Sequence, residues 1–256
     1  MRPEAIVTGG SRGIGLGIAA CLLDRGYRVT ITGRGAADLD AATALLSARG
    51  EVAGVAADVS SEDDVERLMA PFDGSRRLAL LVNNAGVADY KTLLKMDLAR
   101  WRQVIDINLT GAFLTLQRAA RRMRAAGGGA IVNVASIDAH GTDGRQSAYG
   151  AAKAGLVNLT KTAAVELAPH GIRVNAVSPG WTRTAMVEDH VTEAALRHMT
   201  TGFARVPLGR LVEVDEVARA VAFLGGDEAS AITGVDLPVD CGTLANLYIA
   251  ETLPQD

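Results

Sequence analysis

Short apolar runs alternate along the chain with longer segments whose apolar residues recur at helical spacing. The runs are rich in Val and Ile, and they read EAIVTG, YRVTITG, EVAGVAAD, LALLVNNAG, GAIVNVAS, GIRVNAVSPG and VDLPVDCG. Helical spacing is seen over Ile14–Leu23, Leu39–Leu46, Val65–Met69 and Val214–Leu224. Runs that are apolar on both faces are typical of parallel strands buried between helices. The pattern therefore predicts a doubly wound α/β fold, with a parallel seven-stranded sheet flanked by helices on both faces.

Composition narrows the class of protein. The chain has 256 residues, 48% hydrophobic and 21% charged, which fits one globular domain over residues 1–256. The formal net charge is −3 and the positive residues are scattered, which argues against a nucleic-acid partner. No N-terminal apolar stretch has the length of a signal peptide or membrane span, so we expect a cytoplasmic protein with no membrane partner. Cys21 and Cys241 stand singly, which argues against a metal site.

A glycine-rich turn, TGGSRGIGLG, follows the first apolar run and leads into a helical segment. Gly9, Gly13 and Gly15 lack a Cβ, so backbone N–H groups and a helix N-terminus can approach a pyrophosphate. A plain connection between a strand and a helix would also use glycines. The position of the turn favours a dinucleotide-binding loop, and hence a Rossmann fold.

The end of the second run bears on which dinucleotide binds. A site for NAD usually offers a carboxylate there, whereas a site for NADP needs cations for the 2′-phosphate. Here Gly33 stands at the acid's position, Arg34 follows it, and Arg12 lies in the glycine turn. These residues predict NADP(H), because guanidinium groups match phosphate geometry; the alternative is that the arginines are solvated. Asp58, after the third run, is expected either to accept from the adenine amino group or to cap a helix.

The stretch SAYGAAKAG, from Ser147 to Gly155, places Tyr149 four residues before Lys153. Residues four apart share one face of a helix. An ordinary tyrosine has a pKa near about 10, and a nearby ammonium lowers it toward neutrality. The pair is a candidate for proton transfer, although this spacing alone is common on helices.

Five motifs occur in order over nearly the whole chain: TGGSRGIG, NNAG, SAYGAAK, SPG and ITGVDLPVDCG. With these motifs the chain resembles the short-chain dehydrogenase/reductase family, single-domain type. The resemblance implies that Tyr149 exchanges a proton with a carbonyl or alcohol oxygen. It also implies that Lys153 binds the nicotinamide ribose and lowers the pKa of Tyr149. Ser136 would bond the substrate oxygen, and Asn108 would position a water where the long helix, about Leu98 to Ala126, locally opens. Taken alone, Ser136 could be a turn serine and Asn108 a satisfied buried amide.

The same resemblance adds contacts to the cofactor. Pro179 and Gly180 would form the wall under the nicotinamide, Thr182 would offer its backbone to the carboxamide, and Thr184 its hydroxyl to the carboxamide or pyrophosphate. The full predicted cofactor set is Gly9, Ser11, Arg12, Gly13, Ile14, Gly15, Arg34, Asp58, Val59, Asn84, Ala85, Gly86, Tyr149, Lys153, Pro179, Gly180, Thr182 and Thr184.

Substrate choice is expected to depend on a lid at about 181–206 and on the loop after Ser136. Its candidate contacts besides Ser136 are Asp138, His140, Trp181 and Met186, and Asp143 lies in the same loop. An amphipathic cover with solvated charges is the alternative for this segment. Arg118, Arg121, Arg122 and Arg124 raise the possibility of an acidic acyl-carrier partner, although such a cluster is usually a solvated helix face.

We therefore predict an oxidoreductase that transfers a hydride between NADP(H) and a small carbonyl or secondary alcohol substrate. By resemblance the nearest activity is reduction of a 3-oxoacyl thioester, and a polyol or sugar dehydrogenase is the second candidate. A non-catalytic NADP-binding sensor or scaffold is the alternative from another class. The family pattern also implies a homotetramer or homodimer.

Overall fold

A computed structural model of the protein describes residues 2–74, 76–88, 90–142, 144–188, 192–201, 203 and 206–246. Within these residues a seven-stranded parallel sheet has the order β3-β2-β1-β4-β5-β6-β7. The strands are β1 (Glu4–Val7), β2 (Arg28–Gly33), β3 (Val52–Ala56), β4 (Leu78–Asn83), β5 (Gly129–Val134), β6 (Ile172–Pro179) and β7 (Asp236–Val239). All seven apolar runs become strands, and the predicted doubly wound Rossmann fold is confirmed.

Helices cover both faces of this sheet. They are α1 (Gly13–Asp24), α2 (Ala36–Ser47), α3 (Glu62–Met69), α4 (Leu98–Ile105), α5 (Gly111–Ala125), α6 (Ser147–Leu167), α7 (Ala185–Glu188), α8 (Glu193–Thr201) and α9 (Val214–Gly225). Successive strand residues point to opposite faces, so Val7 packs in the core under α1, α2 and α9, while Ile6 packs in the core under α3, α5 and α6. Both cores are buried, as the apolar runs predict.

The predicted long helix from Leu98 to Ala126 has a local irregularity. It is divided into α4 and α5 by a π-helical turn over Asp106–Thr110. Such turns widen a helix by one residue and are frequent at functional sites. The expected opening of the helix around Asn108 is therefore present.

The strand order reverses beside β1, whose neighbours are β2 on one side and β4 on the other. In open α/β sheets, ligands bind in the crevice outside the carboxyl ends of the strands at such a reversal. Among the described helices, none is long and apolar enough to cross a membrane.

Candidate active site

A cleft of about 440 Å³ opens at the carboxyl ends of the strands. Every residue that the sequence predicts to bind the cofactor lines this cleft, and so do Ser136, Asp138 and Trp181. The chain therefore brings together, in one concave site, residues that are up to 175 positions apart in sequence, from Gly9 to Thr184.

The glycine turn forms one wall of the cleft. Gly9 and Gly13 have left-handed backbones, with φ of 63° and 54°. A Cβ on Gly15 would lie 2.2 Å from the carbonyl oxygen of Gly9 and 2.4 Å from Asn84 Nδ2. The turn therefore needs glycine at these positions, and it presents bare backbone where α1 begins. This cradle fits the pyrophosphate of a dinucleotide.

Asn84 holds this cradle to the end of β4. Its Nδ2 donates to the carbonyl oxygens of Thr8 and Gly9, at 2.9 and 3.0 Å, and its backbone N–H donates to Thr8 Oγ1 at 3.0 Å. Thr184 lies beside Gly13, because a Cβ on Gly13 would meet Thr184 Cγ2 at 3.7 Å. Asn84 thus shapes the glycine turn, and Thr184 packs next to it.

Two exposed cations line the cleft, Arg12 in the glycine turn and Arg34 directly after β2. A Cβ on Gly33 would lie 3.1 Å from Ser11 Oγ, so a larger side chain at the usual position of the acid would be crowded. Guanidinium groups without a competing carboxylate at position 33 suit a phosphate.

Asp58 also lines the cleft, near the start of α3. Its Oδ1 accepts from the Ser60 N–H at 2.9 Å and from Ser60 Oγ at 2.6 Å. The cap of α3 is Ser61, whose side chain accepts from the Asp64 N–H at 3.3 Å. The helix-cap alternative for Asp58 is therefore wrong, and its contact with adenine stays a prediction.

Ser136, Tyr149 and Lys153 converge at the inner end of the cleft. Ser136 directly follows β5, and the other two lie one turn apart in α6. The Ser136 hydroxyl lies close to the Tyr149 phenol. Lys153 is buried, and its Nζ donates to the Val134 carbonyl at 2.7 Å and lies 5.5 Å from the centroid of the Tyr149 ring. A hydroxyl, a phenol and an ammonium are thus grouped around one small space.

The proton affinities of this group differ from the sequence expectation. Tyr149 is half-buried by area, yet desolvation in the cleft raises the pKa of its phenol to about 12, against a smaller lowering by the nearby Ser136 side chain. Burial lowers the pKa of Lys153 to about 8. The expected lowering of the tyrosine pKa by the lysine is therefore not found in this structure, because desolvation is the largest influence on both groups.

Asn108 lies in the π-helical turn and is buried. Its Nδ2 donates to the carbonyls of Val87 and Val104, each at 2.9 Å, and its Oδ1 accepts from the Val87 N–H at 3.3 Å. A Cβ on Gly86 would approach Asn108 Oδ1 to 2.6 Å. Asn108 therefore supports the loop after β4 from behind the cleft wall, and its role in positioning a water stays a prediction.

Known proteins resemble the chain over almost its whole length. A family model described as enoyl-(acyl carrier protein) reductase matches residues 9–243, and curated and solved relatives are dehydrogenases and reductases. The chain belongs to the short-chain dehydrogenase/reductase family. The members of this family are oxidoreductases that use a nicotinamide cofactor. The glycine cradle of the cleft fits the pyrophosphate of such a cofactor.

Three relatives illustrate the range of activities. A cis-4-hydroxycyclohexanecarboxylate dehydrogenase from Sinomonas cyclohexanicum is 45% identical over 245 residues, covering 94% of this chain and 96% of the relative. A 3-oxoacyl-[acyl-carrier-protein] reductase from Synechocystis sp. is 39% identical over 242 residues, covering 93% and 95%. A crystal structure of actinorhodin polyketide ketoreductase with NADPH has a TM-score of 0.89 at 36% identity, covering 94% and 97%. This member of the short-chain dehydrogenase/reductase family is thus similar to proteins named for alcohol and for ketone substrates.

In this short-chain dehydrogenase/reductase, a chain of buried polar side chains joins α6, the helix of Tyr149 and Lys153, to the sheet. Thr115 Oγ1 donates to Asn83 Oδ1 at 2.6 Å, Asn83 Nδ2 donates to Asn133 Oδ1 at 2.9 Å, and Asn133 Nδ2 donates to Thr160 Oγ1 at 2.8 Å. All four side chains are buried. Because Asn133 lies in the strand before Ser136 and Thr160 lies in α6, this chain sets the position of the serine relative to the helix of Tyr149 and Lys153.

The cleft lining contains part of the predicted substrate set. Asp138 and Trp181 line the cleft, and the Trp181 carbonyl accepts from the Val212 N–H at 2.8 Å, which anchors the start of the segment predicted to be a lid. The structure does not bring His140 to the cleft lining, because its ring pairs with Asp236 at 2.6 Å. The side chain of Met186 and all of Asp143 lie outside the described residues, as do parts of the lid.

Sequence reasoning missed Tyr90, Gln146 and Val187, which also line the cleft. Gln146 directly precedes α6, so its position just before the SAY motif was an available signal. No comparable motif marks Tyr90 or Val187, whose place in the cleft depends on how their loops fold.

The arginine cluster on α5 is partly engaged within the protein. Arg118 pairs with Glu62 at 2.9 Å and Arg122 pairs with Glu66 at 2.7 Å, both carboxylates lying on α3. These ion pairs support the simpler alternative of a solvated helix face for two of the four arginines. Binding of an acyl carrier stays a prediction.

Proposed function

We propose that this protein is an NADP(H)-dependent oxidoreductase that interconverts a ketone and a secondary alcohol and acts chiefly as a ketone reductase. The observation that carries the proposal is the convergence of Ser136, Tyr149 and Lys153 at one end of a cleft whose other end presents Arg12 and Arg34. The relatives that are named for ketone and alcohol substrates support the same reaction class.

The chain's own residues act on the substrate oxygen. When bound, the nicotinamide ring supplies or accepts the hydride. In the reducing direction the Ser136 hydroxyl holds the carbonyl oxygen and the Tyr149 phenol donates a proton to it. The carbonyl carbon gains the hydride and the oxygen gains the proton, so the product is a secondary alcohol. Lys153 lies beside Tyr149, and its ammonium would hold the nicotinamide ribose when the cofactor is bound.

The protonation state of Tyr149 favours reduction. With its pKa raised to about 12 by burial, the phenol is protonated at neutral pH, which is the form that reduction requires. Oxidation of an alcohol would require the phenolate, which burial disfavours. We therefore expect reduction to be faster than oxidation near neutral pH.

Two substrate classes merit testing first. Reduction of a 3-oxoacyl thioester is the first candidate, supported by the Synechocystis relative. Dehydrogenation of a ring or sugar alcohol is the second, supported by the relative of 45% identity, which is named for cis-4-hydroxycyclohexanecarboxylate. The experiment is a screen of NADPH oxidation over acyl thioesters, sugars and cyclic ketones. Binding of NADPH without turnover of any of them would favour a sensor or scaffold instead.

The preference for NADPH rests on Arg12 and Arg34. Replacement Arg34→Asp removes a cation from the phosphate end and adds a carboxylate, so we expect the ratio of NADPH to NADH affinity to fall by at least about tenfold. Fluorescence titration with both cofactors measures this ratio, and Arg2→Asp makes the same charge change at an exposed position outside the cleft lining. Tighter binding of NADH by the unaltered protein, or an unchanged ratio in Arg34→Asp, contradicts the proposal.

A further inference from the structure

A buried carboxylate outside the cleft accepts hydrogen bonds from two of the segments that form the cleft. The side chain of Asp236, in β7, is 8% exposed. Ser178 Oγ donates to its Oδ1 at 2.7 Å, and His140 Nε2 lies 2.6 Å from its Oδ2. An ionised carboxylate only accepts, so the histidine ring carries a proton on Nε2 and donates it. Asp236 therefore connects a residue of the loop after β5 with a residue of β6.

His140 ends the helical turn that begins at Ser136. The backbone N–H of Ala139 donates to the Ser136 carbonyl at 3.0 Å, and that of His140 donates to the Ile137 carbonyl at 2.9 Å. The Asp138 N–H donates to Ser136 Oγ at 3.1 Å. These bonds close the segment into one helical turn, so the position of the His140 ring and that of the Ser136 hydroxyl depend on each other.

Ser178 leads into another wall of the cleft. It is buried and directly precedes Pro179 and Gly180, which line the cleft as the predicted nicotinamide wall. The Gly180 N–H donates to the Val239 carbonyl at 2.9 Å. The end of β6 is therefore attached to β7 twice, once through the backbone and once through the side chain of Asp236.

The carboxylate lies on an apolar face of the sheet. Asp236 pairs in register with Ala176, which forms a small buried cluster with Ala135 and Val157. Ala139, in the turn after Ser136, packs against the same cluster. A carboxylate beside apolar side chains has little access to water, so its place in the fold depends on its two hydrogen-bond donors.

We propose that Asp236 is a positioning residue, which through His140 and Ser178 sets the distance between the Ser136 hydroxyl and the wall under the nicotinamide. The inference rests on the proposed function and deepens it, because a hydride must reach a carbonyl whose oxygen Ser136 holds. A misplacement of about 1 Å in such a geometry can cost about a hundredfold in rate. None of the three linked residues belongs to the cleft lining, so the effect acts through their neighbours.

A single turnover of bound NADPH tests the link in His140→Ala. A stoichiometric complex with NADPH is mixed with an excess of one ketone, the one that the unaltered protein reduces fastest among acetoacetyl-CoA, cyclohexanone and the rest of the screen. We expect the rate constant of NADPH oxidation to fall by at least about tenfold, while NADPH affinity stays within about threefold. His140→Gln keeps an N–H donor of similar reach and should restore the rate constant to within about threefold of the unaltered value.

The matched control removes a similar hydrogen bond elsewhere. Arg49 Nη1 donates to Asp24 Oδ2 at 2.7 Å, and both residues lie outside the cleft lining. Arg49→Ala should therefore leave the rate constant unchanged.

Ser178→Ala breaks the same link at its other end. It should also lower the rate constant, and the double variant should be at most about twofold slower than the slower single variant, because either substitution already breaks the connection. Effects on two independent sites would instead multiply.

The rate constant separates positioning from stability, since unfolded protein lowers the amplitude of the turnover and not its rate constant. A His140→Ala rate constant within about threefold of the unaltered value, no recovery in His140→Gln, or effects that multiply in the double variant would overturn the inference alone. Failure of the unaltered protein to reduce any ketone of the screen contradicts the proposed function, and the inference with it.

Discussion

Burial of the charged Lys153 side chain in the cleft lowers the free energy of unfolding. The side chain is 3% exposed, and burial lowers its pKa from 10.5 to about 8. On unfolding the ammonium returns to water and regains its ordinary affinity for the proton. The lowering corresponds to about 3 kcal/mol by which the charged lysine destabilises the folded state below pH 8.

The sign of the pH dependence follows from the two pKa values. Between about 8 and 10.5 the unfolded chain holds the proton and the folded chain releases it, so the free energy of unfolding rises with pH across this window. Below pH 8 Lys153 is protonated in both the folded and the unfolded state, so the full destabilisation by the buried charge is present. From about pH 7 to about pH 9.5 the contribution of Lys153 should therefore improve by about 2 kcal/mol.

Replacement Lys153→Met removes the titrating group and keeps an unbranched side chain. The variant loses the hydrogen bond to the Val134 carbonyl, which shifts its stability by a similar amount at every pH and leaves the slope to report on the charge. We expect the stability of the unaltered protein, relative to Lys153→Met, to rise by about 2 kcal/mol over that range, measured by urea unfolding. Lys161→Met, at an exposed position of the same helix, is the matched control. A stability difference that does not change with pH would refute the reasoning.

Two further predictions concern the cradle and the assembly. Gly15→Ala places a Cβ 2.2 Å from the Gly9 carbonyl oxygen, so we expect a loss of about 1–3 kcal/mol in the free energy of unfolding and at least about tenfold weaker NADPH binding by fluorescence titration. Gly141→Ala, whose Cβ meets nothing within 4 Å, should behave as the unaltered protein, and normal NADPH affinity in Gly15→Ala would contradict the cradle's geometry. Phe113 and Val165 are 40% and 77% exposed on the two long helices α5 and α6, and we expect light scattering to show a tetramer or dimer that Val165→Glu dissociates. A monomeric unaltered protein would contradict this expectation.

The elements of the fold were predictable because each one carries its own signal. Every apolar run became a strand, and the five inner strands are buried because they need apolar residues on both faces, whereas the edge strands β3 and β7 are more exposed. The glycine turn was equally predictable from the sequence. Gly9 and Gly13 are required by their left-handed backbones, and Gly15 is required because the Gly9 carbonyl oxygen lies too close for a Cβ. The opening of the long helix at Asn108 was also anticipated, and it takes the form of a π-helical turn.

What the sequence did not reveal depends on contacts between distant residues. The partner of His140 is Asp236, which lies 96 positions away, so no local pattern shows that the ring is engaged outside the cleft. The pKa of Tyr149 was expected to be lowered because Lys153 lies one turn away. Desolvation depends on how the cleft closes around both groups, and here it raises the tyrosine pKa. Spacing along a helix gives proximity, whereas burial is a property of the whole fold.

The central claim, that Tyr149 is the proton donor, is tested most directly by Tyr149→Phe. The substitution removes one hydroxyl and keeps the ring that packs against Lys153. With NADPH and a panel of ketones that the unaltered protein reduces, kcat should fall by at least about a hundredfold, while NADPH affinity stays within about threefold. Turnover that survives in Tyr149→Phe at a similar kcat would contradict the account.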